Sequence, residues 1–182
     1  YMRGLERAAE PGTRWRYSTG ETNLVGLLVS RATGRTLADY LSQKIWRPYG
    51  MERDAAWMVD AAGQEAAGCC LMASLRDWGR VGQLVLENGV VQGRSIVPDT
   101  WFDEATTKQA DIGAPGMGYG YQWWTFDDGT FGARGIFGQM IHIDPERRAV
   151  VVILSAWPVA TGDERSAARN VFLARVAAAL DE

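Results

Sequence analysis

Apolar residues recur along this chain with two different periods, and the change from one to the other divides it. From Glu21 to Ala32, Leu24, Val25, Leu27, Leu28 and Val29 crowd a stretch followed by Gly34. Glycine there can take the left-handed turn that ends a helix, so the pattern predicts a buried helix with a glycine stop. Thr36 and Asp39 form a capping pair ahead of Leu37, Tyr40, Leu41 and Ile45, and Arg47-Pro48 ends that second helix. Residues 49–72 keep neither period and read as irregular. Ser74 and Asp77 repeat the capping pattern, Leu75, Trp78, Val81, Leu84 and Val85 line one helical face, and Asn88-Gly89 closes it. Pro98 opens a short helix holding Trp101, Phe102 and Ala105.

Beyond Gly113-Ala114-Pro115-Gly116 the period becomes two. Tyr119–Phe126 predicts one aromatic strand, and Thr130–Ile136, Gly138–Asp144 and Ala149–Trp157 predict three more, the last two joined by a turn around Pro145. Asp163–Leu180 predicts a closing Ala-rich helix with Val171, Phe172, Val176 and Leu180 in register. Helices first and an antiparallel meander afterwards make the fold class α+β, with the last helix packed on the sheet.

Composition narrows the partners. The chain has 182 residues, 47% of them hydrophobic, eight tryptophans and a formal charge of -3. It is long enough for one domain with a core. Weak negative charge argues against nucleic acid or an anionic membrane surface as the main partner, and no apolar run approaches membrane-spanning length. The single histidine, His142, lies in a strand pattern and reads as structural, which argues against a Ser-His-Asp triad. No Cys/His set is spaced for zinc, and no metal or organic cofactor is expected. Cys69 and Cys70 are adjacent, and neighbouring cysteines rarely bridge, so free thiols are expected. The chain starts at Tyr1 without a leader pattern, and Gly4 to Gly12 reads as mid-protein loop, which suggests part of a longer protein. No compartment is read from it.

The segment Pro11-Gly12-Thr13-Arg14-Trp15-Arg16-Tyr17-Ser18-Thr19-Gly20 carries the chemistry. It sets a phenol and two small hydroxyls at the mouth of the first helix. A tyrosine held by cations and hydrogen bonds can act as a general base. Tyr17 can equally be a half-buried aromatic, with Ser18 or Thr19 merely capping the helix.

The run from Pro11 to Met51, then CCLMASLRDWGRVGQLVLENG, YGYQWW and GARGIFGQMIHIDPERRAVVVILSAW, resembles the penicillin-binding, serine β-lactamase-like hydrolases. Within that superfamily the likeness is to class C β-lactamase-type esterases and above all to 6-aminohexanoate-dimer hydrolase-like proteins. It covers essentially the whole chain, as the C-terminal portion of a β-lactamase/transpeptidase-like fold. The resemblance makes Tyr17-Ser18-Thr19 the family's Tyr motif, with Tyr17 the base that activates a serine, Ser18 beside substrate, and Thr19 where many members have Asn. Ala133-Arg134-Gly135 matches the third motif, which usually begins with a cation. Gly135 would let substrate approach the strand, and the Ile136 N–H would be one oxyanion-hole donor. Arg134 could face substrate, solvent or the core side. The nucleophilic Ser-x-x-Lys motif is absent: none of Ser18, Ser30, Ser42, Ser74, Ser95, Ser155 and Ser166 has Lys three residues on.

The reading is therefore residues 1–182 of a serine hydrolase domain whose nucleophile-bearing N-terminal part lies elsewhere, acting on a small-molecule ester or linear amide, and inactive as this stretch alone. Loss of the cation at Ala133 argues against β-lactams. Rival readings are a non-catalytic binding or scaffold protein of the same fold, and a D-Ala peptidase or β-lactamase. Trp57, Trp123 and Trp124 would suit an apolar substrate wall, and suit core packing better.

Overall fold

The computed structural model describes residues 2–182, which divide into two compact units, 2–74 and 75–182. In the first, a 3₁₀ turn at Met2–Gly4 precedes helix α1 (Thr19–Thr33). Ser18 is its N-cap: extended backbone lets the hydroxyl accept the Glu21 N–H at 3.3 Å, and Glu21 complements the helix dipole. Gly34, at φ +65°, takes the left-handed C-cap as predicted. The buried helix does not materialise. Only Gly26 is buried along α1, while Leu24, Val25 and Leu28 are exposed. Helix α2 (Leu37–Leu41) is capped by Thr36, whose hydroxyl accepts the Asp39 N–H at 3.0 Å. It runs on through one π-helical turn, Ser42–Trp46, ending before Pro48. Leu37 and Trp46 are its buried anchors, and the Trp46 indole N–H donates to the Arg53 carbonyl.

The irregular stretch holds one small device. Strand β1 (Ala56–Trp57) pairs antiparallel with β2 (Leu71–Met72). Between them Cys69 and Cys70 are bonded to each other, with Cys70 at φ +71°. This corrects the expectation of free thiols: the left-handed backbone at Cys70 brings the two sulfurs together across one peptide.

The second unit starts with α3 (Leu75–Leu86), which ends in the left-handed pair Asn88-Gly89, as read from sequence. A hairpin of β3 (Val90–Val91) and β4 (Arg94–Ser95) and a short helix α4 (Trp101–Ala105) lead into the sheet. Its strands are β5 (Ala110–Asp111), β6 (Met117–Tyr119), β7 (Trp124–Phe126), β8 (Phe131–Arg134), β9 (Met140–Asp144) and β10 (Ala149–Ile153), a six-stranded antiparallel meander in sequence order. The strand expected over 119–126 is instead a hairpin. Gly120 N–H donates to the Trp123 carbonyl, Gln122 turns left-handed, and any Cβ at Gly120 would strike the Ala105 carbonyl.

The core lies between α3 and one face of this sheet. Val85, Phe131, Ile141 and Ile143 form its centre, with Trp78, Val81, Ala133 and Val150 packed around them. Strand alternation puts Phe131, Ala133, Ile141 and Ile143 on the α3 side. Gly82 lets the helix come close, since a Cβ there would collide with Val150 and reach within 3.1 Å of Ile141 Cγ2. A mid-helix glycine costs about 0.5–1 kcal/mol, offset here by that approach. Helix α5 (Asp163–Leu180) is tied to the β9–β10 turn by a bidentate Arg147–Asp181 pair at 2.8 Å, and Arg169 lies over the Trp157 ring. No residue of α5 is buried, and a cleft of about 690 Å³ separates it from β10.

Candidate active site

The predicted site residues fall in the two units. In the first, Tyr17 immediately precedes the capped start of α1, and its side chain is 53% exposed. Ser18 is committed to capping through both its hydroxyl and its carbonyl, which accepts from Thr22. Thr19 begins the helix, and Gly68 presses against it: a Cβ on Gly68 would lie 2.7 Å from Thr19 Cγ2. The corner is therefore fixed by a helix cap below and a loop behind, with about half of the Tyr17 surface open to solvent.

In the second unit, β8 ends at Arg134, and Gly135 and Ile136 belong to a tight turn rather than to the predicted strand. Gly135 N–H donates to the Gln139 carbonyl at 2.8 Å and Gly138 N–H returns to Gly135 at 3.2 Å, with Gly138 at φ +88°. Gln139 organises this turn. Its side-chain carbonyl accepts the Phe137 N–H, its amide donates to the Ser155 carbonyl, and its Cβ lies 3.1 Å from where a Cβ on Gly135 would sit. The sequence carried this role as Gly135-x-x-Gly138-Gln139, but reading it as strand hid the purpose of the glutamine. At the tip, Ile136 is 59% exposed, and its N–H has no acceptor among the described residues. The Ile136 carbonyl accepts from Thr161 at 2.7 Å, which holds the peptide in place.

Arg134 is half-buried on the sheet face opposite α3, beside His142. Its guanidinium rests 4.8 Å from the Phe126 ring, and burial and the nearby Arg169 lower its pKa to about 10. Of the orientations left open from sequence, this one packs the cation rather than sending it into solvent. His142, also on that face, is depressed below its usual pKa by burial, and its Nδ1 has no hydrogen-bond partner among the described residues. Trp123 stacks edge-on against Phe131 and Trp124 against Tyr119, while the Trp57 indole donates to the Ala66 and Cys69 carbonyls. All three tryptophans thus have packing roles. The α5–β10 cleft is lined by none of the six predicted site residues. Among the described residues no cluster of His, Cys, Asp and Glu could hold a metal ion, and no helix is long and apolar enough to cross a membrane.

The chain is similar to known proteins in sequence and in fold. The chain is 32% identical over 155 residues to a 6-aminohexanoate-dimer hydrolase from Paenarthrobacter ureafaciens, covering 79% of this chain and 40% of that protein. A solved structure of a candidate 6-aminohexanoate-dimer hydrolase from Bacillus anthracis superposes with a TM-score of 0.83 at 31% identity, covering 92% of this chain and 45% of that one. A β-lactamase from Mycobacterium bovis shares the fold, with a TM-score of 0.68 at 23% identity over 92% of this chain and 66% of its own. The chain thus spans less than half the length of the first two relatives. A family description for beta-lactamase matches residues 1–176, nearly the whole meander-and-helix arrangement, and the chain belongs to that family.

Proposed function

We propose that this chain is the base- and oxyanion-bearing portion of a serine hydrolase that cleaves small esters or linear amides through an acyl-enzyme. One observation carries the reading: the Gly135–Gly138 turn presents the Ile136 N–H at an exposed tip with no acceptor among the described residues. A fixed, unspent backbone donor is what a developing oxyanion needs, because it requires no reorganisation when charge appears. Family membership supplies the chemistry that goes with it.

In this reading a serine and lysine outside the 182 residues complete the site. The serine attacks the substrate carbonyl, and Tyr17, paired with that lysine, takes the serine proton and returns it to the leaving group. The Ile136 N–H stabilises the tetrahedral oxyanion, and water then releases the acyl group by the same proton path. Ala133 leaves the usual position of the carboxylate-binding cation apolar. A linear amide resembling the 6-aminohexanoate dimer named for the relative fits better than a β-lactam.

The test is the full-length protein against p-nitrophenyl acetate and the linear 6-aminohexanoate dimer, with intact-mass detection of an acyl adduct. Turnover with the adduct on an upstream Ser-x-x-Lys serine is expected, as is no turnover above background by residues 1–182 alone. A coding sequence without such a motif, or an adduct on a residue of this chain, overturns the reading.

A further inference from the structure

The bonded pair Cys69–Cys70 is not used by the proposed chemistry, yet it sits where it can act on it. A bond between adjacent cysteines closes an eight-membered ring around the peptide joining them, so the local backbone can adopt only what the ring allows. Cys70 accordingly holds φ +71°, a left-handed conformation that a non-glycine residue seldom keeps unaided. The Cys69 side is exposed to solvent and Cys70 is half-buried.

Both flanks of the pair are tied down. On one side the Trp57 indole N–H donates to the Ala66 and Cys69 carbonyls at 3.0 Å each, and the Met58 N–H donates to the Cys70 carbonyl at 3.1 Å. On the other, residues just before the pair lie on α1. Gly68 N–H donates to Asn23 Oδ1 at 2.9 Å, a Cβ on Gly68 would lie 3.0 Å from the Thr19 carbonyl, and Ala67 fills the space that Gly26 leaves open. Thr19, Asn23 and Gly26 span the first two turns of the helix that Ser18 caps. The 66–70 loop is therefore a wedge between β1 and the start of α1, and the disulfide sets its shape.

We propose that Cys69–Cys70 is a reversible thiol–disulfide modification site, and that its oxidised form positions the first two turns of α1 through Gly68 and Asn23. A dithiol reductant drives the change. One of its thiolates attacks the exposed Cys69 sulfur, the Cys70 thiolate leaves and takes a proton, and the second thiol closes on the first to release Cys69 as a thiol. The protein gains two protons and two electrons, and the reductant becomes a cyclic disulfide. Without the ring, Cys70 relaxes from positive φ, and the Gly68–Asn23 hydrogen bond loses the geometry that supports it. The consequence for catalysis rests on the proposed role of Tyr17; the test below does not.

The experiment is amide hydrogen exchange on the full-length protein, as isolated under oxidising conditions, after dithiothreitol, and after reoxidation, with intact mass at each stage. Reduction should add two hydrogens and raise exchange in peptides covering 66–70 and 19–26 by about tenfold, with β8 and β9 unchanged and protection restored on reoxidation. The Cys69→Ser/Cys70→Ser variant should match the reduced protein and ignore the reductant. Asn23→Asp, which keeps an acceptor for Gly68, should retain the oxidised protection that Asn23→Ala loses. Should the double variant not fold, the reduction–reoxidation cycle of the unaltered protein decides alone. Unchanged exchange at 66–70 and 19–26 after the two-hydrogen gain, or two free thiols under oxidising conditions, overturns the proposal.

Discussion

Residues 2–74 and residues 75–182 draw on the same apolar residue types and are held by different means. In the second unit, apolar periods close on one another. The α3 stripe meets the inner face of β8, β9 and β10, and Ile143 ends with no exposed surface at all. In the first, α1 carries an equally apolar run, yet Leu28 remains 66% exposed and only Gly26 is buried. Beside the buried anchors Leu37 and Trp46, what fixes that unit is a set of polar tethers at chain corners. Ser18 and Thr36 cap helices, Asn23 holds Gly68, and the buried Glu65 carboxylate accepts the Ala38 N–H at 3.1 Å. The difference teaches that a hydrophobic period specifies an element but not whether anything covers its face. It also separates two kinds of sensitivity: corner residues can bear on chemistry with little stake in stability, and core residues the reverse.

The sharpest way to break this contrast is at Tyr17. In the full-length enzyme, Tyr17→Phe should lower kcat by about 10²–10⁴, the usual range for losing a general base. The melting temperature should move little, because about half of the residue is open to solvent and the substitution keeps the ring. Steady-state kinetics beside a thermal melt checks both halves. A near-normal kcat would return Tyr17 to the reading of a half-buried aromatic.

The same truncation in the two units gives the next largest effect. Ile143→Ala deletes a fully buried side chain at the centre of the second unit and should cost about 2–5 kcal/mol, partly as transfer and partly as residual cavity. Leu28→Ala removes a similar side chain from the open face of α1 and should stay within about 0.5 kcal/mol. Urea titrations of both variants measure this directly. A Leu28→Ala cost approaching that of Ile143→Ala would mean that the α1 face is covered in the working protein.

What could be read from the sequence follows the same line. Gly34, Thr36 and Asn88-Gly89 announced helix ends because capping is local chemistry, settled within four residues. The β8–β10 meander was legible from β-branched alternation, and the family from the ordered run of motifs. The split of Tyr119–Phe126 into a hairpin was not, because the reason is Ala105 of a different element crowding Gly120. The Cys69–Cys70 bond was missed for a related reason. It depends on positive φ at Cys70, which residue type alone disfavours. At the candidate site, Tyr17 and Ile136 could be named from motif resemblance, but the turn that exposes the Ile136 N–H rests on the Gln139 side chain, which neither period reports.

A weaker effect belongs to the sheet face opposite α3. Burial lowers the His142 pKa, with Arg134 adding to it and Asp128 and Asp144 opposing. The unfolded chain titrates near 6.5, so as pH falls below about 6.5 the unfolded state takes up a proton that the folded state resists. Stability is thus fully present above that pH and declines on acidification toward the lower folded value. His142→Gln removes the group from both states and should flatten stability against pH in that window. Melts of the two proteins from pH 7.5 down to about 5 compare the slopes. A steeper slope in the variant would contradict the sign.

The smallest effect is at the other end of the same meander, where Arg147 bridges the β9–β10 turn to the end of α5. Its guanidinium donates to Asp181 at 2.8 Å and to Asp144 at 3.0 Å, while its backbone N–H donates separately to Asp144. The Asp181 carboxyl is held below its ordinary pKa chiefly by the side-chain hydrogen bond from Arg147. At Asp144 burial pushes upward, but the Arg147 backbone and side-chain hydrogen bonds and charge outweigh it, and the net direction is also down. Both groups therefore add stability above the unfolded carboxylate pKa of about 3.9, and that contribution is lost as pH falls through their lower folded values. Arg147→Gln discriminates between them. Asp181 loses its principal donor and should titrate close to the ordinary range, whereas Asp144 keeps the backbone N–H of residue 147 and should rise only part of the way. Carboxyl-detected NMR titration of the two proteins reads each group separately. Equal rises would mean that the guanidinium, and not the turn backbone, sets the Asp144 value.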